Sequence, residues 1–125
     1  MAKNGEPTRP LDVAVSDLAR LTEDELGNAL ARVRAAIKDA DETDRTRLQD
    51  LRDRLTKRLD RFVLADLGSI DRDPTIKEVV NHLAELTLNI QTAAREMRTV
   101  KKTIDRATEI LGYADEFLRI LARFV

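Results

Sequence analysis

The chain has no cysteine and no tryptophan, one histidine, four glycines, three prolines and four other aromatics among its 125 residues. Each scarcity excludes something. Without cysteine there is no disulfide framework and no thiolate metal site. The lack also fits a reducing compartment, so we expect the cytoplasm. With one histidine there is no imidazole pair for a metal or a proton relay, and no Gly-rich phosphate loop or nucleophile elbow occurs. We therefore expect no enzyme: no catalytic residue, no cofactor and no metal. Net charge is scarce too: 22 basic against 23 acidic residues gives −1. No global field steers the chain toward DNA or an anionic membrane. No apolar run approaches the ~18 residues of a membrane span, and none of signal-peptide length follows the N-terminus.

What is abundant is charge, at 36% of residues, together with leucine and alanine. Plentiful charge with few breakers is the composition of long helices and coiled coils. The strongest pattern runs from Ile76 to Val125. One phase holds Ile76, Leu83, Ile90, Met97, Ile104, Leu111, Leu118 and Val125. Three residues after each of the first seven come Val79, Leu86, Ala93, Val100, Ala107, Ala114 and Leu121. All 15 seam positions are apolar, against 10 of the 35 between them, so the repeat is not a by-product of composition. A seven-residue repeat predicts a helix that packs along one seam.

The remaining organisation follows from stop and start signals. Residues 1–10, with two prolines and a glycine, read as a flexible tail, and residues 11–125 as one helical domain. Ser16–Leu21 reads as a helical turn. Thr22-Glu-Asp-Glu25 reads as a capping box, opening a helix over about 22–39. Asp41-Glu-Thr-Asp44 is a polar break with good cap residues, and a second helix follows over about 42–67, with Gly68 as its C′ residue. Asp73-Pro74 starts a third helix over about 74–124. Unbroken, it holds about 50 residues and spans roughly 75 Å. Gly112, off the seam, is the one place where it could kink or reverse. The fold expected is all-α: a helical hairpin packed on half of one long coiled-coil-like helix, a three-helix bundle that oligomerises.

The oligomer is inferred from lengths. A second helix of about 25 residues, running back antiparallel, covers only about residues 74–98 of the third. The seam from Val100 onward then has nothing in its own chain to pack on. The last residues are also broadly apolar, which marks a helix buried on more than one side. We therefore expect an interface at Val100, Ile104, Ala107, Ile110, Leu111, Tyr113, Ala114, Phe117, Leu118, Leu121 and Phe124. The partner expected is a second copy, as a dimer or higher oligomer, or another helical protein. Alanines on the seam favour close antiparallel packing.

Other constellations are less specific. Glu78, His82 and Glu85 share a helix face, but carboxylate-bridged metal bundles use Glu-x-x-His, a spacing absent here. A solvated face is the ordinary reading. Basic residues cluster at Arg45, Arg47, Arg52, Arg54, Lys57, Arg58 and Arg61, and again at Arg95, Arg98, Lys101, Lys102 and Arg106. Asp44, Asp50, Asp53 and Asp60 interleave with the first cluster, and Glu96 and Asp105 flank the second. Interleaving of this kind makes a salt-bridged surface. The function expected is a helical protein–protein interaction or assembly module. The alternatives are a nucleic-acid-binding or regulatory protein using its basic faces, and a peripheral membrane binder using the apolar C-terminal helix. Charge balance argues against nucleic acid, and acidic residues on the polar stripe argue against a membrane.

Overall fold

The computed structural model describes residues 14–124, and among them all regular structure is helical. The predicted tail and the last seam residue, Val125, lie outside the described residues. Five α-helices follow in order: α1 Val15–Asp39, α2 Glu42–Leu64, α3 Leu67–Asp71, α4 Val80–Arg95 and α5 Val100–Leu121. Two 3₁₀ segments, Pro74–Glu78 and Ala122–Phe124, complete the described residues. The single long helix predicted over 74–124 is corrected: the chain is 3₁₀ at its start, restarts at Val80 and breaks between Arg95 and Val100.

α1 begins earlier than the capping box suggests. Val15, Ala19, Thr22, Leu26, Ala29, Leu30 and Val33 form one buried stripe through the Thr22 position. Thr22 therefore sits inside the helix, where its hydroxyl lies 2.8 Å from Leu18 O. The start is capped from a distance instead. Asp71, 55 residues along the chain, accepts from Ser16 N at 3.1 Å. At the other end Arg45 donates to Ile37 O and Ala40 O, meeting carbonyls the helix leaves open.

Asp41 caps α2 by accepting from Asp44 N at 2.8 Å. The helix ends at Leu64, three residues short of expectation, because Ala65 turns extended and Asp66 starts a new element. Asp66 accepts from Ser69 N and Ser69 Oγ, which holds its carboxyl below the ordinary range. Gly68 lies inside α3 and is not a C′ residue. Asp73 does cap the next segment, taking both Thr75 N and Thr75 Oγ1, and its carboxyl is lowered by the same kind of bond.

Side-chain pairs give the helix directions. Thr22 meets Thr87, Glu25 meets Gln91 and Arg32 reaches Met97 O, so α1 and α4 run parallel. Arg58 meets Asp115 and Phe62 meets Phe117, so α2 and α5 also run parallel. α1–α2 and α4–α5 are antiparallel hairpins. α1 packs on α2, α4 and α5, and α5 on α2 and α4. The four long helices form a bundle in which α2 and α4 occupy opposite corners. Residues 65–79 carry the chain across that diagonal and close one end, burying Ile70 and Ile76. One continuous core results, from Val15 to Leu121.

Energetics explain the break near Thr99. Ending α4 gives up a few intrahelical hydrogen bonds, each worth about 0.5–1.5 kcal/mol net. Some are replaced in the turn: Glu96 N bonds Ala93 O, Met97 N bonds Ala94 O, and Thr99 Oγ1 accepts from Lys102 N. In return Ile104, Ile110, Leu111, Phe117, Ile120 and Leu121 become buried. Each large side chain so buried gives about 1.5–3 kcal/mol, so folding back wins. Met97 stays buried inside the turn, which is why the apolar repeat runs across it without a gap. Gly112 lies within unbroken α5, with open space where a Cβ would be, and no kink or reversal occurs there.

Candidate interaction surfaces

The structure brings the predicted interface residues together, but on the chain's own core. Ile104, Ala107, Ile110, Leu111, Ala114, Phe117 and Leu121 are buried. Val100, Tyr113, Leu118 and Phe124 are half-buried and pack against that core. Phe117 is fully enclosed, edge-on to Phe62 with centroids 5.2 Å apart. The seam that had no cover in a three-helix arrangement is covered by α1, α2 and α4. The expectation of an unsatisfied C-terminal seam is therefore corrected: the turn at residues 96–99 supplies an intramolecular partner.

The apolar groups that do face solvent lie elsewhere. Leu64 is 83% exposed, Val63 60%, Leu88 58% and Leu21 43%. Val63 and Leu64 are consecutive at the end of α2. Because α2 and α5 are parallel, they share an end of the bundle with Leu118 and Phe124. Helical periodicity places Val63 on the apolar side of α2 with Leu55, Leu59 and Phe62, so the pattern by itself does not single out either residue as exposed.

The charged constellations sort into pairs and an unpaired group. On α2, Arg54 pairs with Asp50 and Arg52 with Asp53. Arg58 forks onto both oxygens of Asp115, at 2.6 and 3.3 Å, and this bond raises the guanidinium above its ordinary range. His82 meets Glu116 of α5, a contact no continuous helix could make across 34 residues. Among the described residues no group of three metal-ligating side chains gathers around it or anywhere else. Arg106 binds Glu96 and Glu109, and the Glu96 bond raises the arginine further. Arg95, Arg98, Lys101 and Lys102 are exposed and form no ion pair among the described residues.

No buried side-chain polar atom among the described residues lacks a hydrogen-bond partner. No helix of the described residues is long and apolar enough to cross a membrane. Comparison with protein-family models, with curated proteins and with solved structures finds no match to this chain.

Proposed function

We propose that this chain is a non-enzymatic helical interaction module that assembles with a second copy of itself through the end of the bundle where α2 and α5 terminate. The observation that carries the reading is the exposure of Val63 and Leu64, side by side; the other exposed large aliphatics among the described residues, Leu21 and Leu88, lie on α1 and α4 and are not consecutive. A contiguous exposed apolar patch is a common mark of an association surface. Leu118 and Phe124 are half-buried toward the same end of the bundle. A two-fold axis through the patch would set these side chains against their own copies, the cheapest way to cover a surface of this kind. The absence of cysteine supports a cytoplasmic setting for such a module.

The test is sedimentation velocity on the whole chain and on Val63→Asp/Leu64→Asp at about 100 µM. The expected result is a species near twice 14.2 kDa that the double variant dissociates, with unchanged helicity. A wild-type monomer at that concentration would remove the second copy as the partner. A variant that still dimerises would remove this end of the bundle as the interface.

A further inference from the structure

We infer that the corner of the bundle around the α4–α5 turn is a binding site for the phosphate backbone of duplex nucleic acid. Sequence alone placed Arg95, Arg98, Lys101, Lys102 and Arg106 in one stretch, with Glu96 and Asp105 as local neutralisers. The fold changes that balance in three ways.

The reversal at residues 96–99 brings the cations of two helices together. Arg95, Arg98 and Lys102 line one shallow depression with Thr92, Thr99 and one acid, Glu96, and Lys101 is exposed beside it. A third helix adds to them. Arg32 of α1 is held against the turn, its Nη1 3.5 Å from Met97 O, and it lines the adjoining groove with Arg98 and Thr99. The acid in the depression is already engaged: Glu96, though exposed there, is bound by Arg106, which Glu109 also binds and Asp105 also faces. Of the other nearby acids, Glu25 is tied to Gln91 and Asn28 at the far end of the α1–α4 groove. Asp39 lines the groove with Arg32 and Arg98 and offsets one of their charges. Five cations, four from three helices and Arg98 from the turn, thus share one corner. Elsewhere Arg52, Arg54, Arg58 and Arg106 each hold a carboxylate, and the arginines that form no ion pair among the described residues, such as Arg20, Arg47 and Arg119, are not gathered from several helices into one depression.

The chemistry of the corner selects the ligand. Three guanidiniums and two ammoniums fit phosphate oxygens, which Arg binds in bidentate fashion. The described aromatics, Phe62, Tyr113, Phe117 and Phe124, lie on α2, on α5 or just beyond it, well away from the turn, and none lines the depression. The patch therefore has nothing to stack on an unpaired base, which favours duplex over single strand. It also has no exposed large apolar side chain to insert into a bilayer: Met97 is buried and Val100 half-buried. Contact of this kind positions a duplex without reading its sequence. The site is at the opposite end of the bundle from Val63 and Leu64, so it stands or falls separately from self-assembly.

The experiment is fluorescence anisotropy with a labelled mixed-sequence duplex of about 20 base pairs, titrated with the full chain between 50 and 200 mM salt. Binding is expected in the micromolar range at low salt, with log K falling on log salt at a slope of about −4.5 for five phosphate contacts. Arg98→Ala/Lys102→Ala should weaken binding at least about tenfold at 50 mM salt and flatten the slope by about two. Lys57→Ala/Arg61→Ala removes the same charge toward the other end of α2 and should leave binding unchanged. Absence of duplex binding at 50 mM salt and 100 µM protein overturns the assignment. So does a turn variant that binds like wild type, or a control variant that loses as much. Tighter binding to polyglutamate or to phosphatidylserine vesicles than to duplex overturns it in favour of a different anionic partner.

Discussion

Thr22 and Thr87 are two hydroxyls buried between α1 and α4, with 2.9 Å between their oxygens. Each also lies within bonding distance of the carbonyl four residues back, Leu18 O and Leu83 O. Three contacts share two protons, so at any moment one hydroxyl serves its neighbour and the other its own helix. Such a pair favours one alignment of α1 on α4, because a slide of either helix would bury a hydroxyl without its partner. Thr22→Val should cost about 1 kcal/mol. The cost stays modest because Thr87 can still donate to Leu83 O. Thr22→Val/Thr87→Val should cost less than the two single changes together, since each single change already removes the shared bond. Urea titrations of the four proteins measure this. Strict additivity would mean that the hydroxyls do not interact. The sequence offered Thr22 as an N-cap opening the helix; the structure overturns this, placing Thr22 inside α1 with its hydroxyl on the carbonyl of Leu18.

The decisive event among the elements is the turn between α4 and α5. Its local signals are faint: no glycine or proline, only Thr99 as an N-cap and Arg95 in the last turn of α4. A heptad pattern cannot distinguish one straight helix from two that keep the same phase across a tight turn, because each half buries the same stripe. Nitroxide labels at Glu85→Cys and Arg119→Cys separate the alternatives, and the chain brings no cysteine of its own to interfere. A continuous helix would hold these positions roughly 50 Å apart. The bundle should hold them within about 25 Å, as neighbours across the hairpin that His82 and Glu116 already join. A distance near 50 Å would return the chain to one long helix. Thr99→Ala should cost about 1 kcal/mol by freeing the Lys102 amide. In an unbroken helix an exposed Thr→Ala change would instead stabilise slightly.

For the whole molecule, the relevant fact is that one core runs through all the long helices. Phe117→Ala should therefore cost about 3–5 kcal/mol, a large share of the 5–15 kcal/mol typical of a domain. The loss should appear as one transition in thermal circular dichroism, taking α1 and α2 with it. Had α5 projected beyond the hairpin, the same change would have weakened association and left the hairpin standing. A stability loss under about 1 kcal/mol would mean that Phe117 is not enclosed between α2 and α5.

The sequence by itself determined the class of secondary structure, most of the buried stripes of α1, α2 and α5, and the cap at Asp41. These depend on periodicity and on side chains meeting their own neighbouring amides, which composition and spacing express directly. Tertiary structure alone decided that the C-terminal seam is covered from within. Burial of six large side chains outweighs a few helical hydrogen bonds, and that comparison needs the positions of α1, α2 and α4. It likewise decided that Asp71 caps α1, that residues 65–79 cross the end of the bundle, and that Arg32 joins the cations of the turn. Each joins residues tens of positions apart, a proximity that no local pattern encodes.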